Sequence, residues 1–135
     1  MKKRDNKKTI LLIEDNLILI DIYKEAFSCY SDFEIITARQ CLKGLKLAKE
    51  RKPDLILLDI LFDDTSQGDG ITLLEALRQD PETRNLKVIV FSNYDAKKVV
   101  KRSSELGVID YLVKTHFTPK EFVLLIKNYF EKGRI

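Results

Sequence analysis

The sequence is poor in histidine and cysteine and has no long apolar run, which argues against a protein with a cysteine–histidine metal site, disulfide bonds or a membrane span. Its 135 residues include one histidine and two cysteines, and no apolar run approaches the roughly 18 residues of a membrane-spanning helix. The chain starts with basic and polar residues rather than an apolar segment, so we predict no signal peptide and expect a cytoplasmic location. Cys29 and Cys41 lack CxxC spacing or His-rich neighbours, which favours reduced, structural thiols over a metal site.

The chain also lacks internal repeats, low-complexity segments and a strong overall charge. With 44% hydrophobic and 33% charged residues, its composition is typical of a single globular domain. The formal net charge is +3, but residues 1–8 contain five basic residues and one acidic residue, so the remainder carries −1. We therefore predict a flexible basic tail over residues 1–8, one folded domain over residues 9–132, and no nucleic-acid or membrane partner.

What the chain does have is a series of short apolar runs that alternate with amphipathic segments. Residues 55–58 are apolar on both faces and are bounded by Pro53 and Asp59, which predicts a strand buried on both sides in a parallel sheet. Further strands are predicted over residues 9–13, 33–38, 86–91 and 108–113. Helices are predicted over residues 17–29, 40–52, 70–79, 95–106 and 119–130. The alternation predicts a doubly wound (βα)₅ three-layer α/β sandwich with a mainly parallel sheet.

Chemically active residues follow four of the five predicted strands. They are Glu14 and Asp15 after the first strand, Asp59 after the third, Ser92 after the fourth and Lys114 after the fifth. The second strand ends at Ala38, so we expect it to be the outer strand, away from the site. Parallel strands end at one edge of a sheet, where ligands bind. The sequence therefore predicts that three carboxylates, a hydroxyl and an ammonium meet there.

This combination of groups is suited to phosphoryl transfer. Crowded carboxylates need a cation to neutralise them, and oxygen ligands suit Mg²⁺. A lysine and a hydroxyl provide the positive charge and hydrogen-bond donor that a transferring phosphoryl group requires. An aspartate between them, Asp59, is a candidate nucleophile.

In order and approximate spacing, the acidic pair, Asp59, Ser92 and residues 110–114 resemble the receiver domain of two-component response regulators. The resemblance extends from about Thr9 over nearly the whole chain, and it is to the single-domain, chemotaxis-regulator-like type. It implies a flavodoxin-like fold with five parallel strands in the order 2-1-3-4-5. It also implies that Asp59 accepts a phosphoryl group from a phosphohistidine of a sensor histidine kinase or phosphotransfer protein.

The resemblance further implies a ligand set for the metal. Asp15, Asp59 and the backbone carbonyl of Leu61 would bind Mg²⁺ directly. Glu14 would act mainly through water.

Roles in switching and output follow from the same resemblance. Lys114 would pair with the phosphoryl group, Ser92 would move to bond it, and Tyr111 would swing inward behind Ser92. The signal would leave through the face formed by helix 4, strand 5 and helix 5, where a downstream protein binds or the chain forms a homodimer. Because the chain ends just past the fifth helix, we expect no output domain.

Three features depart from the common pattern of this family. Asp63 and Asp64 lie in a loop that commonly has a proline, and the loop is about three residues longer than usual. Thr115 follows Lys114 in place of a cis-favouring proline, so we expect a trans or a strained peptide bond. Asn93 follows Ser92 in place of alanine or glycine, and its size could hinder small phosphodonors or water.

Other functions remain open at this point. An aspartate-dependent Mg²⁺ phosphatase would have a second acid two residues after its nucleophile, where this chain has Leu61. A flavodoxin-like cofactor protein would bind phosphate after the first strand, where Glu14 and Asp15 would repel it. The main alternative is a receiver-fold binding module that acts without phosphorylation. We expect no enzyme beyond Mg²⁺-dependent self-phosphorylation and self-dephosphorylation, and we interpret His116 as a loop residue rather than a phosphoryl donor.

Overall fold

The structure is a computed structural model that describes residues 7–61 and 69–133. Most of the predicted basic tail, residues 1–6, lies outside the described residues, as does the loop segment 62–68 with Asp63 and Asp64. Along the described part of the chain, no helix has the length and apolar character needed to cross a membrane.

Five strands alternate with five α-helices along the described residues, as predicted. The strands are β1 (Lys8–Ile13), β2 (Phe33–Ala38), β3 (Leu55–Leu58), β4 (Val88–Ser92) and β5 (Asp110–Val113). The helices are α1 (Leu17–Ser28), α2 (Cys41–Arg51), α3 (Gly70–Gln79), α4 (Lys97–Glu105) and α5 (Pro119–Lys132), with a 3₁₀ turn at Lys114–His116 before α5. All pairings are parallel and the order is β2-β1-β3-β4-β5, which confirms the predicted fold.

The helix starts follow local capping signals in the sequence. The Asn16 side chain accepts the N–H groups of Ile18 and Leu19 at 2.9 and 3.1 Å, so α1 begins where predicted. At α5, Thr118 and Glu121 form a capping box in which each side chain accepts the backbone N–H of the other residue.

Some element boundaries differ from the prediction because residues predicted to begin a strand are hydrogen-bonded within the preceding turn instead. The N–H of Leu86 donates to the carbonyl of Thr83 at 3.0 Å, and that of Val108 donates to Ser103 at 3.3 Å. Both β4 and β5 therefore begin two residues later than predicted. Helix α4 begins at residue 97 rather than 95, after a cap at Ala96.

Two apolar clusters lie on opposite faces of the sheet. One packs α1 and α5 against the strands, and its centre includes Phe91 stacked on Phe122 with ring centroids 3.8 Å apart. The other packs α2 and α3, with part of α4, against the opposite face. Strand β3 is fully buried and contributes Leu57 to the first cluster and Leu58 to the second. Its carboxyl end, where Asp59 follows, is therefore fixed by packing from both sides.

The strand register brings the acidic residues to the same level. Ile13 of β1 pairs with Leu58 of β3, and Leu58 pairs with Val90 of β4. Glu14 and Asp59 are the residues that follow Ile13 and Leu58 directly, so both leave the sheet at the same edge.

A single side chain of α3 holds two loops together at the opposite edge of the sheet. The guanidinium of Arg78 donates to the carbonyl oxygens of Leu106 (2.7 Å), Leu86 (2.8 Å), Arg84 (3.0 Å) and Gly107 (3.3 Å). Burial lowers the pKa of the Arg78 guanidinium, although arginine remains charged in proteins. These bonds connect the loop before β4 to the loop before β5.

We expect Arg78→Met to lower the free energy of unfolding by about 3 kcal/mol, because several carbonyl groups lose a charged donor. Urea unfolding followed by circular dichroism measures the change. Arg84→Met, at an exposed side chain in the same region, is the matched control and should change stability by less than about 0.5 kcal/mol. An equally small loss of stability in Arg78→Met would show that water can replace the guanidinium as the donor to these carbonyl groups without cost.

Candidate functional site

Two of the residues predicted to meet at the carboxyl edge, Glu14 and Asp59, are joined by a third, Lys114, through its ammonium. Lys114 Nζ donates to Asp59 Oδ2 at 2.8 Å and also to Glu14 Oε1. Only 9% of Lys114, 8% of Asp59 and 2% of Glu14 is exposed. The lysine that follows β5 therefore makes a buried ion pair with acids that follow β1 and β3.

Backbone N–H groups hold the remaining oxygens of the two buried carboxylates. Asp59 Oδ1 accepts the N–H of Leu61 at 3.0 Å, and Glu14 Oε2 accepts the N–H of Asn16 at 3.1 Å. Each carboxylate is thus fixed both by the ammonium and by the loop that follows its own strand.

Burial and charge act in opposite directions on this cluster. Burial raises the pKa of Glu14 and the Asp59 charge adds to this, whereas Lys114 lowers it; the net result is a raised pKa. Burial alone would lower the pKa of Lys114, but the Asp59 and Glu14 carboxylates raise it above its ordinary value. The Lys114 ammonium therefore stays charged, and its charge limits the rise that burial causes in the pKa of Glu14.

Asp15 follows Glu14 in the chain and is half-buried, and its backbone carbonyl is bonded by the residue that follows β2. Arg39, which follows β2 directly, donates from Nε and Nη2 to the Asp15 carbonyl at 3.3 Å each. Strand β2 is the outer strand as predicted, but the residue after it reaches the site. The signal that could have revealed this is an arginine directly after Ala38, because every strand end faces the same edge.

Ser92 and Tyr111 are joined through the peptide groups of Tyr94. Ser92 is fully buried, and its Oγ accepts the N–H of Tyr94 at 3.2 Å. The Tyr111 hydroxyl donates to the Tyr94 carbonyl. Burial, with a contribution from the Asp59 charge, raises the pKa of Tyr111 to about 12, so this hydroxyl remains a donor at neutral pH. The loop after β4 thus contacts both residues predicted to act in switching.

Comparison with known proteins decides the family. The family model described as response regulator receiver domain matches residues 10–127. The chain belongs to this receiver domain family. Its members serve phosphorylation-based signalling in two-component systems and are generally switches rather than enzymes.

Individual relatives agree with this assignment. The receiver domain is 31% identical over 122 residues to the polar-differentiation response regulator DivK of Brucella anthropi, covering 90% of this chain and 95% of that protein. It is similar to the solved Mn²⁺-bound form of response regulator Rcp1, with a TM-score of 0.79, 26% identity and coverage of 95% and 97% of the two chains. A CheY-like receiver domain protein of Methanospirillum hungatei JF-1 shares the fold, with a TM-score of 0.81, 23% identity and coverage of 93% and 95%. The predicted family and fold are confirmed.

Two of the three features that depart from the common pattern, Asn93 and Thr115, are bonded to each other. Asn93 Oδ1 accepts the N–H of Thr115 at 3.0 Å, so the Asn93 side chain reaches the turn after β5. The described residues contain no cis peptide bond, so the bond between Lys114 and Thr115 is trans. His116 lies exposed in the 3₁₀ turn.

The site fits a divalent cation in donor chemistry and in charge. Three carboxylates, the Lys114 ammonium and the Arg39 guanidinium leave a formal charge of −1 at this site, and oxygen ligands suit Mg²⁺. In residues 7–61 and 69–133, however, no three acidic, histidine or cysteine side chains are arranged as a metal site, and the Lys114 ammonium lies on Glu14 and Asp59. Asp69, another acidic residue of the loop before α3, caps that helix by accepting the N–H of Thr72 at 2.9 Å.

Proposed function

We propose that this receiver domain is a phosphorylation-controlled switch in a two-component phosphorelay, with Asp59 as the phosphoacceptor. The observation that carries the proposal is the 2.8 Å contact between Lys114 Nζ and Asp59 Oδ2. A neighbouring ammonium favours the ionised, nucleophilic form of a carboxylate and can afterwards stabilise the charge of a bound phosphoryl group. The contact lies at the carboxyl end of the central strand β3, the edge of a parallel sheet at which ligands bind.

The proposed donor is a phosphohistidine on a sensor histidine kinase or phosphotransfer protein. A carboxylate oxygen of Asp59 attacks phosphorus, the phosphorus–nitrogen bond breaks, and the imidazole leaves with the bonding electron pair. Lys114 then neutralises a phosphoryl oxygen, and the Ser92 hydroxyl turns from the Tyr94 N–H to donate to another.

Magnesium would supply charge neutralisation for this transfer when bound. Asp15, Asp59 and the backbone carbonyl of Leu61 are the proposed direct ligands, and Glu14 would act mainly through water. The net negative formal charge at the site supports this proposal. A further support is that Rcp1, which is 26% identical, was solved in a Mn²⁺-bound form.

Output is proposed to pass through the face of α4, β5 and α5 to a downstream protein or to a second copy of the chain. The bond from Tyr111 of β5 to the Tyr94 carbonyl supports this, since movement of Ser92 would alter the loop that Tyr111 contacts. Helix α4 also presents an exposed basic side, with Lys97, Lys98, Lys101 and Arg102.

A cytoplasmic location and a domain over residues 9–132 with a basic tail before it are part of the same proposal.

Intact mass after incubation with Mg²⁺ and a small acyl phosphate tests the phosphoacceptor. We expect one added phosphoryl group, which Asp59→Asn or the omission of metal abolishes. Asp21→Asn, at an exposed aspartate of α1, is the matched control and should be phosphorylated normally. If neither the small donor nor a phosphorylated phosphotransfer protein modifies the chain, the binding module that acts without phosphorylation becomes the better explanation.

A further inference from the structure

A hydrogen bond beside the site joins two residues that the proposed mechanism does not use. Asn93 follows Ser92 at the end of β4, and Thr115 follows Lys114 at the end of β5. The Asn93 Oδ1 and Thr115 N atoms are 3.0 Å apart. The bond therefore connects the neighbours of the two groups that would close on a phosphoryl group.

The bond extends the contact between β4 and β5 beyond the end of their ladder. The last pair of the two strands is Ser92 with Val113, after which β5 continues into the 3₁₀ turn that begins with Lys114. A side-chain oxygen from the β4 loop accepts an N–H from that turn. The turn is thereby fixed to the sheet at the position from which the Lys114 side chain departs.

We propose that Asn93 is a positioning residue that holds the turn of Lys114 so that its ammonium stays on Asp59. This inference rests on the proposed role of Asp59. A lysine side chain is long and flexible, so its ammonium is placed only if both of its ends are held. Asp59 and Glu14 hold the Nζ end, and the bond from Asn93 to Thr115 holds the backbone end.

The place of Asn93 in the chain suits this role, since its side-chain oxygen reaches the N–H of Thr115 from the end of the neighbouring strand. Because Asn93 is also the neighbour of Ser92, the same bond keeps the hydroxyl-bearing and lysine-bearing segments in a fixed relation. Small errors of placement at a reacting centre have large effects on rate, which gives a weak, exposed bond a measurable effect.

Two substitutions of similar size separate the hydrogen bond from the bulk of the side chain. Asn93→Leu keeps the approximate volume and removes the acceptor, whereas Asn93→Asp keeps both the shape and an acceptor oxygen. Asn85→Leu, at an exposed asparagine in the loop before β4, is the control for an unrelated surface change. Three quantities are measured in each variant: amide hydrogen exchange of Thr115, the NMR signal of the Lys114 ammonium, and phosphorylation rate against acyl phosphate concentration at fixed Mg²⁺.

We expect Asn93→Leu to accelerate exchange of the Thr115 amide, to shift the Lys114 ammonium signal, and to lower the maximal phosphorylation rate about fivefold, the effect of one ordinary hydrogen bond. The half-saturating donor concentration should stay unchanged, because the bond acts on Lys114 and not on donor access. Asn93→Asp should restore the exchange protection and most of the rate.

Two results would overturn the inference while leaving the proposed function intact. One is an Asn93→Leu variant that exchanges faster at Thr115 yet is phosphorylated at the unsubstituted rate. The other is an Asn93→Asp variant that protects Thr115 but is as slow as Asn93→Leu. Failure of the unsubstituted protein to be phosphorylated at all would instead overturn the proposed function and this inference together.

Discussion

Replacement of Lys114 by methionine is expected to slow phosphorylation of Asp59 by roughly 100- to 1,000-fold, the usual effect of removing one group that stabilises transition-state charge. Methionine keeps most of the apolar stem but lacks the ammonium that contacts Asp59 and Glu14. Initial rates of mass change at saturating Mg²⁺ measure the effect. Lys120→Met, at an exposed lysine of α5, is the matched control and should leave the rate unchanged.

The same substitution should also make the stability of the fold depend on pH. Burial already raises the pKa of Glu14, and without Lys114 nothing in the ion pair would oppose that rise. When the pKa of a carboxyl group is higher in the folded state than in the unfolded state, its contribution to stability is fully present below the unfolded-state pKa. This contribution is lost as pH rises through the folded-state pKa. Lys114→Met should therefore be nearest to the unsubstituted protein at acid pH, and it should lose stability progressively above the ordinary Glu value of 4.5.

Urea unfolding at several pH values tests this second effect. At neutral pH we expect a loss of about 3–5 kcal/mol, typical of a buried ion pair that loses one partner. A stability difference that is constant over the whole pH range would contradict the interpretation, because it would mean that the pKa of Glu14 does not depend on the ammonium.

Substitution of Gly70 by alanine is expected to lower the free energy of unfolding by about 3 kcal/mol or more, beyond most overpacking changes. A Cβ atom at Gly70 would lie 2.5 Å from the Cα of Ile60 and 2.6 Å from the carbonyl oxygen of Asp59. Both are backbone atoms, so no side-chain rotation can relieve the clash. The N–H of Gly70 also donates to the Ile60 carbonyl at 2.9 Å, and that bond would be strained as α3 moved away.

Gly44→Ala provides the comparison, since its added Cβ would lie 2.8 Å from Cδ1 of Ile13, the end of a flexible side chain. We expect a loss of about 1 kcal/mol there, because the isoleucine can change rotamer. Only Gly70→Ala should also slow phosphorylation, because the backbone it displaces carries Asp59. Equal stability losses and equal rates in the two variants would show that α3 can shift without disturbing the site.

Much of the site was predictable because strand ends are strong signals in a parallel sheet. The apolar runs before Glu14, Asp59 and Ser92 fix where each strand ends, and the alternation with helices places these ends at one edge. The caps at Asn16 and Thr118 were predictable for a local reason, since each involves residues within three positions of one another.

The side-chain partners were less predictable because they depend on tertiary placement. The ion pair of Lys114 with Glu14 spans 100 positions in sequence, and the two residues follow strands separated by β3 and β4. Residue types and spacing do not specify that the ammonium contacts both acids, nor that Arg39 reaches the Asp15 carbonyl. The predicted starts of β4 and β5 were wrong for a local reason. The apolar pattern assigns residues to these strands that form hydrogen bonds within the preceding turns.

The shared register of β1, β3 and β4 limits how this chain can change length during evolution. An insertion of one residue within β3 would turn Leu57 and Leu58 to the opposite faces of the sheet and carry Asp59 about 3.3 Å along the strand, away from Lys114. An insertion after Asp59, before α3, leaves both the ladder and the ion pair in place. Homologous chains should therefore vary in length in the segments that follow the reactive residues, while the strands that precede them keep a constant number of residues.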